Sequence, residues 1–252
     1  MKYGYFDDKN KEYVITNPKT PTKWINYIGT LQFGGIIDQT GGMLLCKGDP
    51  ALNRITKYIT QLPASEMRGS TIYARIKEGN SYKVFSPVFV PTLDKLDLYE
   101  CHVGLSYQRI ISEFYGLRFE ITYFIPNNAS IQITEISVTN KSGKPLEVDI
   151  IPVIEYTHPD SLKQLTNADW IPQTMCSKGV KDGKFTILEQ YPFMNMRTKA
   201  NYLTSNLPAS SFEADRRAFL GDNEYGTWQN PLALQQAELS SQDILRGDNI
   251  GA

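Results

Sequence analysis

The 252-residue chain carries 26 basic and 27 acidic side chains, a formal net charge of −1, which gives no electrostatic case for nucleic acid or an anionic membrane as partner. Three widely spaced cysteines without a CxxC pair (Cys46, Cys101, Cys176) point to reduced thiols and a cytoplasmic protein, and two scattered histidines (His102, His158) are too few for a metal site. The opening MKYGYFDDKN lacks a signal-peptide core, and no stretch approaches the ~18 apolar residues of a membrane span.

Residues 3–16 read as a hairpin: an aromatic strand, a solvated Asp7-Asp8-Lys9-Asn10 turn, then Glu12–Thr16. Asn17-Pro18 and Thr20-Pro21 hold the backbone extended and end the strand. Trp24–Gly29, aromatic and amphipathic, is expected as an edge segment covering one mouth of a sandwich. Gly34-Gly35 and Gly41-Gly42 flank a short apolar run, but neither GxGxxG nor GxxxxGK[ST] is present and no helical pattern follows. Two tight hairpin turns are expected there, not a nucleotide loop. Lys47-Gly48-Asp49-Pro50 is a further turn. Asn53–Leu62 can be strand or helix, with the alternation of Ile55, Lys57 and Ile59 favouring strand. Ser70–Pro87 predicts a second hairpin, turning at Glu78-Gly79-Asn80.

The stretch from Leu98 to Tyr156 organises the chain. Ser106–Ser112, Leu117–Ile125, Ser130–Thr139 and Leu146–Tyr156 are rich in β-branched and aromatic residues, and short Gly-, Pro- and Asn-bearing turns separate them. Connections this short hold no crossover helix, so all four blocks are expected to pair as an antiparallel meander. A slip of phase between Ile133 and Ile136 predicts a bulge. Beyond Tyr156 the chain turns polar: a short helix is predicted over Ser161–Thr166, capped by Asp160. A turn over Lys178–Lys184 then leads to a strand at Phe185–Glu189. Tyr191–Ser211 has no sustained period. With no repeat, low-complexity tract or linker, residues 1–252 read as one all-β domain, a large antiparallel β-sandwich with short helical insertions.

Catalytic signatures are missing. There is no GxSxG elbow, HExxH or P-loop, and Glu113, Glu120 and Glu135 cannot be paired at a glycosidase separation from sequence alone. Cys101 and His102 are adjacent, and a strand sends them to opposite faces. The densest polar constellation is Asp215-Arg216-Arg217, with Trp228 eleven residues beyond Arg217. Arginine forks bind carboxylate or phosphate, and an indole offers its face to a sugar ring. The same residues also describe an ion pair that fixes a long loop with Trp228 packed over it. The residues themselves thus give a sandwich with a polyol-binding or interface surface, and no reaction.

A resemblance adds to this. YGYFDDKNKEYVITNPKTPTKWINYIG at Tyr3–Gly29, TYFIP at Thr122–Pro126, DRRAFLG at Asp215–Gly221, NPLAL at Asn230–Leu234 and GDNIGA at Gly247–Ala252 fall in the order seen in glycoside hydrolase family 94, the cellobiose phosphorylase-like family. The resemblance implies an N-terminal supersandwich of galactose-mutarotase-like type, with the family's helical linker, helical catalytic barrel and C-terminal domain absent from this chain. It implies an inverting phosphorylase: phosphate attacks a β-glucoside to give α-glucose 1-phosphate, with inorganic phosphate as co-substrate and no metal or organic cofactor. The catalytic acid and the phosphate-binding groups of that family belong to the barrel, so no catalytic residue is expected in this chain. The implied partners are the chain's own barrel, a second subunit in a homodimer, and a β-glucoside sugar. On polarity and length, the contact segments are His158–Trp170 and Asp215–Trp228, with His158, Asp169, Trp170, Asp215, Arg216, Arg217 and Trp228 as mouth or interface candidates. Residues 43–62 depart from the cellobiose phosphorylase pattern, so laminaribiose, sophorose-type glucan, chitobiose and cellobionate stay open beside cellobiose. Two rivals remain. One is a carbohydrate-binding module stacking sugar on Trp24, Trp170 or Trp228; the other is a complete enzyme, such as an epimerase on a related supersandwich, which needs a His–Glu pair across one sheet.

Overall fold

The expected opening hairpin forms from β1 (Gly4–Asp7) and β2 (Glu12–Ile15), and Asp7 Oδ1 fastens its turn by accepting the backbone N–H groups of Lys9 and Asn10. The computed structural model describes residues 2–166, 170–193, 200–244, 247 and 249–252. β3 (Ile25–Gly29), β4 (Gly34–Asp38) and β5 (Met43–Cys46) follow as a three-stranded sheet with β3 at its edge. Here one expected turn is displaced. Gly34 and Gly35 begin β4, and the turn lies before them, where Thr30 N–H meets Phe33 O at 2.9 Å. A Cβ at Gly35 would sit 1.8 Å from Leu44 O, so close approach of the neighbouring strand, not a turn, is what demands glycine. Gly41 does turn the chain, with φ at 78°.

Asn53–Leu62 is neither regular strand nor helix. It touches the sheets through isolated bridges, Cys46 to Arg54 and Thr56 to Tyr156. Thr56 Oγ1 replaces a ladder there, accepting from Leu45 N–H (2.8 Å) and donating to Met43 O (2.6 Å). The second hairpin forms as read, β6 (Ser70–Glu78) with β7 (Ser81–Phe85).

Three of the four expected blocks pair as a meander, β9 (Tyr107–Phe114), β10 (Leu117–Phe124) and β11 (Ile133–Asn140), and a strand that was not expected, β8 (Leu98–Val103), pairs ahead of them. With the opening hairpin they make a six-stranded sheet in the order β1-β2-β8-β9-β10-β11. No bulge interrupts β11. Its register with β10 is continuous from Phe124↔Ile133 to Leu117↔Asn140. Ile136 and Val138 lie opposite the buried Ile121 and Phe119, while Ile133 faces outward opposite Phe124. The apparent slip is an outward isoleucine.

The fourth block, β12 (Val148–Glu155), leaves the meander and pairs with β6, giving a four-stranded sheet β16-β12-β6-β7 that β16 (Ile250–Gly251) closes. The reason lies in its two apolar faces. Val148 and Ile150 pack toward the core shared with the six-stranded sheet, and Ile151 and Val153 toward a second core around Tyr73, Phe219 and Trp228. A strand apolar on both faces belongs inside a covered sheet, and β11, largely exposed, marks an edge. Pro152 fits this placement. Glu155 N–H bonds to Gly69 O on the β6 side (2.9 Å), so alternation turns the donorless Pro152 nitrogen to the other edge, where β16 reaches only Ile154 and Glu155.

The predicted helix is α1 (Ser161–Thr166), with Asp160 Oδ1 accepting Lys163 N–H at 3.0 Å. β13 (Met175–Asp182) runs through most of the expected Lys178–Lys184 turn and pairs with β14 (Phe185–Pro192), which in turn pairs with β15 (Asn201–Thr204). α2 (Arg216–Leu220) follows. Cys101 and Cys176 are buried free thiols, and Cys46 is partly buried. No helix among the described residues is long and apolar enough to cross a membrane.

Candidate functional site

The two polar segments singled out above converge on Glu155, the last residue of β12. The phase of that strand explains its position. Ile151, Val153 and Glu155 share one buried face, and a carboxylate in an apolar phase must be paired. Lys57 Nζ lies 2.9 Å and Arg216 Nε 3.2 Å from Glu155 Oε1, and the Lys57 N–H also bonds to Glu155 O.

Arg216 is held in place by its own helix. Asp215, with extended φ/ψ, caps α2 by accepting Arg217 N–H (2.8 Å), and Gly221 closes the other end at φ 81° with its N–H on Arg217 O. The Arg216 guanidinium lies over the Trp228 ring, 5.5 Å from its centroid. Trp228 is buried, 6.0 Å from Phe219, and its carbonyl accepts the Tyr73 hydroxyl.

His158 reaches the same narrow crevice, which Lys57, Glu155, His158, Gln164, Arg216 and Asn249 line. Gln164 Oε1 accepts the Thr157 hydroxyl (3.1 Å) and the His158 N–H (3.3 Å), tying α1 back to the end of β12. His158 Nδ1 accepts Asp160 N–H at 3.1 Å, which requires that nitrogen to be bare. Burial pushes the His158 pKa below its ordinary 6.5, aided by the Lys163 charge. A base with a depressed folded pKa contributes stability that is present above about pH 6.5 and lost as the pH falls through the folded value. The urea midpoint of the wild type is therefore expected to fall more steeply between pH 7.5 and 5.5 than that of His158→Asn, whose amide oxygen keeps the acceptor but does not titrate. Parallel midpoints would remove His158 as the cause.

The candidates thus divide. His158 and Arg216 line one crevice, with Trp228 beneath Arg216. Asp215 is a helix cap, not an ion-pair partner of the arginines, and Arg217 is exposed, its Nε 3.6 Å from Asp222 Oδ2. Trp170 is half exposed; Asp169 lies outside the described residues. Lys57, Glu155, Gln164 and Asn249 were missed, and of these only the buried phase of Glu155 was visible beforehand. Glu155 already holds two cations, so the arrangement suits fastening three segments better than moving a proton. Among the described residues no group of three His, Cys, Asp or Glu side chains is placed to hold a metal ion.

Comparison with known proteins extends this. Residues 11–252 match the family model described as "Glycosyl hydrolase 94, supersandwich domain". The chain is similar to an N,N'-diacetylchitobiose phosphorylase of Vibrio furnissii, 30% identical over 245 residues, covering 96% of this chain and 30% of that protein. A second N,N'-diacetylchitobiose phosphorylase, from Vibrio proteolyticus, is 28% identical over 96% of this chain and 30% of its own length. A 3-O-beta-D-glucopyranosyl-beta-D-glucuronide phosphorylase of Paenibacillus borealis is 26% identical over 99% of the chain and 30% of its own length. The chain thus spans about a third of these relatives.

Proposed function

The chain belongs to glycosyl hydrolase family 94 as its supersandwich domain, and from that premise we propose that it is the sandwich portion of a glycoside phosphorylase. The match over residues 11–252 carries the reading. The parent enzyme would be inverting, using inorganic phosphate as co-substrate without metal or organic cofactor, in the cytoplasm. It would cleave a β-linked glucosyl disaccharide, or a close analogue, to an α-sugar 1-phosphate and a shortened sugar. In this reading the catalytic groups lie in a helical barrel outside the chain, and residues 1–252 form one domain that packs on that barrel, supports a homodimer and borders the active-site mouth. The commitment of Glu155 and Asp215 to structural bonds agrees with a supporting role. So does the exposed apolar surface of α1, where Leu162 and Leu165 point outward.

The relatives' names set the substrate panel for the test. This chain and any longer product of its gene would be assayed for sugar 1-phosphate release from cellobiose, laminaribiose, sophorose and N,N'-diacetylchitobiose. Release by the longer product alone is the expected result, and the active disaccharide identifies the linkage. Release by the 252-residue chain would place a catalytic acid among residues assigned here to structure. A carbohydrate-binding module is the second reading, and the half-exposed Trp170 favours it. It predicts saturable sugar binding by this chain that Trp170→Ala abolishes.

A further inference from the structure

A cleft of about 480 Å³ opens between the β13–β14 pair and the segments 209–212 and 241–243, apart from both large sheets and from the crevice at Glu155. Strand alternation builds its floor. Gly179 and Lys181 share one face of β13, and the register sets Leu188 and Thr186 of β14 opposite them. Phe212 packs with Leu188 against this face. A Cβ at Gly179 would sit 2.4 Å from the tip of the Phe212 ring, so a mid-strand glycine, which weakens a sheet, is what admits the ring. The walls are fastened by the chain itself. Ser241 N–H bonds to Phe212 O (2.9 Å), Ser241 Oγ accepts the Phe212 N–H (3.2 Å), and Asp243 Oδ1 accepts the Gly179 N–H (2.8 Å). Pre-formed clefts of roughly 300–1,000 Å³ with a few convergent polar groups are the usual form of small-molecule sites.

We propose that this cleft binds a neutral saccharide of one or two pyranose rings, holding it without cleaving it. The lining offers one cation, one anion, an amide and several hydroxyls, so its charges cancel and an ionic ligand gains little net attraction. Lys181 Nζ donates to Thr186 Oγ1 at 2.7 Å and has two further protons to give. Among the described residues, Asp243 Oδ2 and the Gln242 amide have no hydrogen-bond partner. A ligand that suits these groups must donate and accept at neighbouring atoms, as vicinal hydroxyls do. Lys181 gives to one sugar oxygen, Asp243 accepts from the next, Gln242 does either, and the C–H face of the ring rests on Phe212. Asp243 is the one carboxylate among the described residues of the lining, where hydrolysis of a glycoside takes two. Trp170, the platform of the rival module, does not line the cleft.

The test needs neither phosphate nor any polypeptide outside residues 1–252, so it can fail while phosphorolysis stands, and the reverse. Cellobiose, laminaribiose and N,N'-diacetylchitobiose would be titrated into the isotope-labelled 252-residue chain, with the Gly179 and Phe212 amide resonances as reporters. Saturable shifts with at least one sugar are expected. Lys181→Ala and Gln242→Ala, both at exposed positions, should each weaken that binding by about 10-fold, the scale of one lost hydrogen bond to a ligand, while Trp170→Ala leaves it unchanged. Glycine and inorganic phosphate, a zwitterion and an anion small enough to enter, should leave both reporters in place. The proposal is overturned if none of the three sugars gives a saturable shift, or if both variants keep wild-type affinity. Tighter binding of glycine or phosphate than of any sugar overturns it as well.

Discussion

Replacing Asp38 with alanine is expected to lower the unfolding free energy by about 3–5 kcal/mol. Asp38 has no exposed surface, and Oδ1 accepts the Thr40 N–H and hydroxyl (both 2.8 Å) and the Gly42 N–H (3.2 Å). Oδ2 accepts the Tyr58 hydroxyl at 3.1 Å and lies 3.6 Å from Lys23 Nζ. Burial already pushes the Lys23 pKa down, with the Asp38 charge opposing that shift, and burial and the same charge together push the Tyr58 hydroxyl up. Alanine would strand the buried ammonium and unfasten the β4–β5 turn together. Asp38→Asn, which keeps the shape and loses the charge, should fall between the two. Urea unfolding of the three proteins at pH 7 measures it, and a loss below about 1 kcal/mol for Asp38→Ala would show that water replaces the carboxylate at little cost.

The second large effect separates two tryptophans of the same sequence class. Trp228→Ala is expected to cost about 3–5 kcal/mol, because the indole fills the second core between Phe219 and the Arg216 guanidinium. Trp170→Ala, at a half-exposed position, should stay within about 0.5 kcal/mol. Denaturant midpoints decide this directly. Equal effects would falsify the assignment of Trp228 to the core, and the indole would return as a candidate sugar platform.

The parts of the fold legible beforehand are those whose partners lie nearby in the chain. The hairpins β1–β2 and β6–β7, the meander strands β9, β10 and β11, and the Asp160 cap of α1 each follow from turn chemistry and alternation over a few residues. The misreadings share one cause, a distant partner. β12 reads as the next meander strand until its second apolar face finds α2 and Trp228. Gly34-Gly35 reads as a turn until Leu44 O presses against it. Asn53–Leu62 alternates like a strand, yet Thr56 gives its hydroxyl to the β5 backbone in place of a ladder. For the site the division is similar. His158 and Arg216 stand out as polar residues in aperiodic stretches, but only the tertiary fold brings Lys57 and Glu155 between them. The contact between His102 and Glu12 escapes the sequence because its members lie 90 residues apart on β8 and β2.

The switch of β12 into the four-stranded sheet also governs how this polypeptide is made. Its Ile154 pairs with Ser70 on one side and Gly251 on the other, so one sheet gathers residues from the first, middle and last parts of the chain. Closing such loops costs entropy before any contact rewards it, which places folding in the slow, millisecond-to-second range of non-local β topologies. During synthesis the meander β8–β11 can form as it emerges and take up Val148 and Ile150 of β12, but the opposite face, Ile151 and Val153, stays uncovered until Phe219 and Trp228 have left the ribosome, and the sheet closes only with β16. That interval is when the nascent chain is most in need of a chaperone.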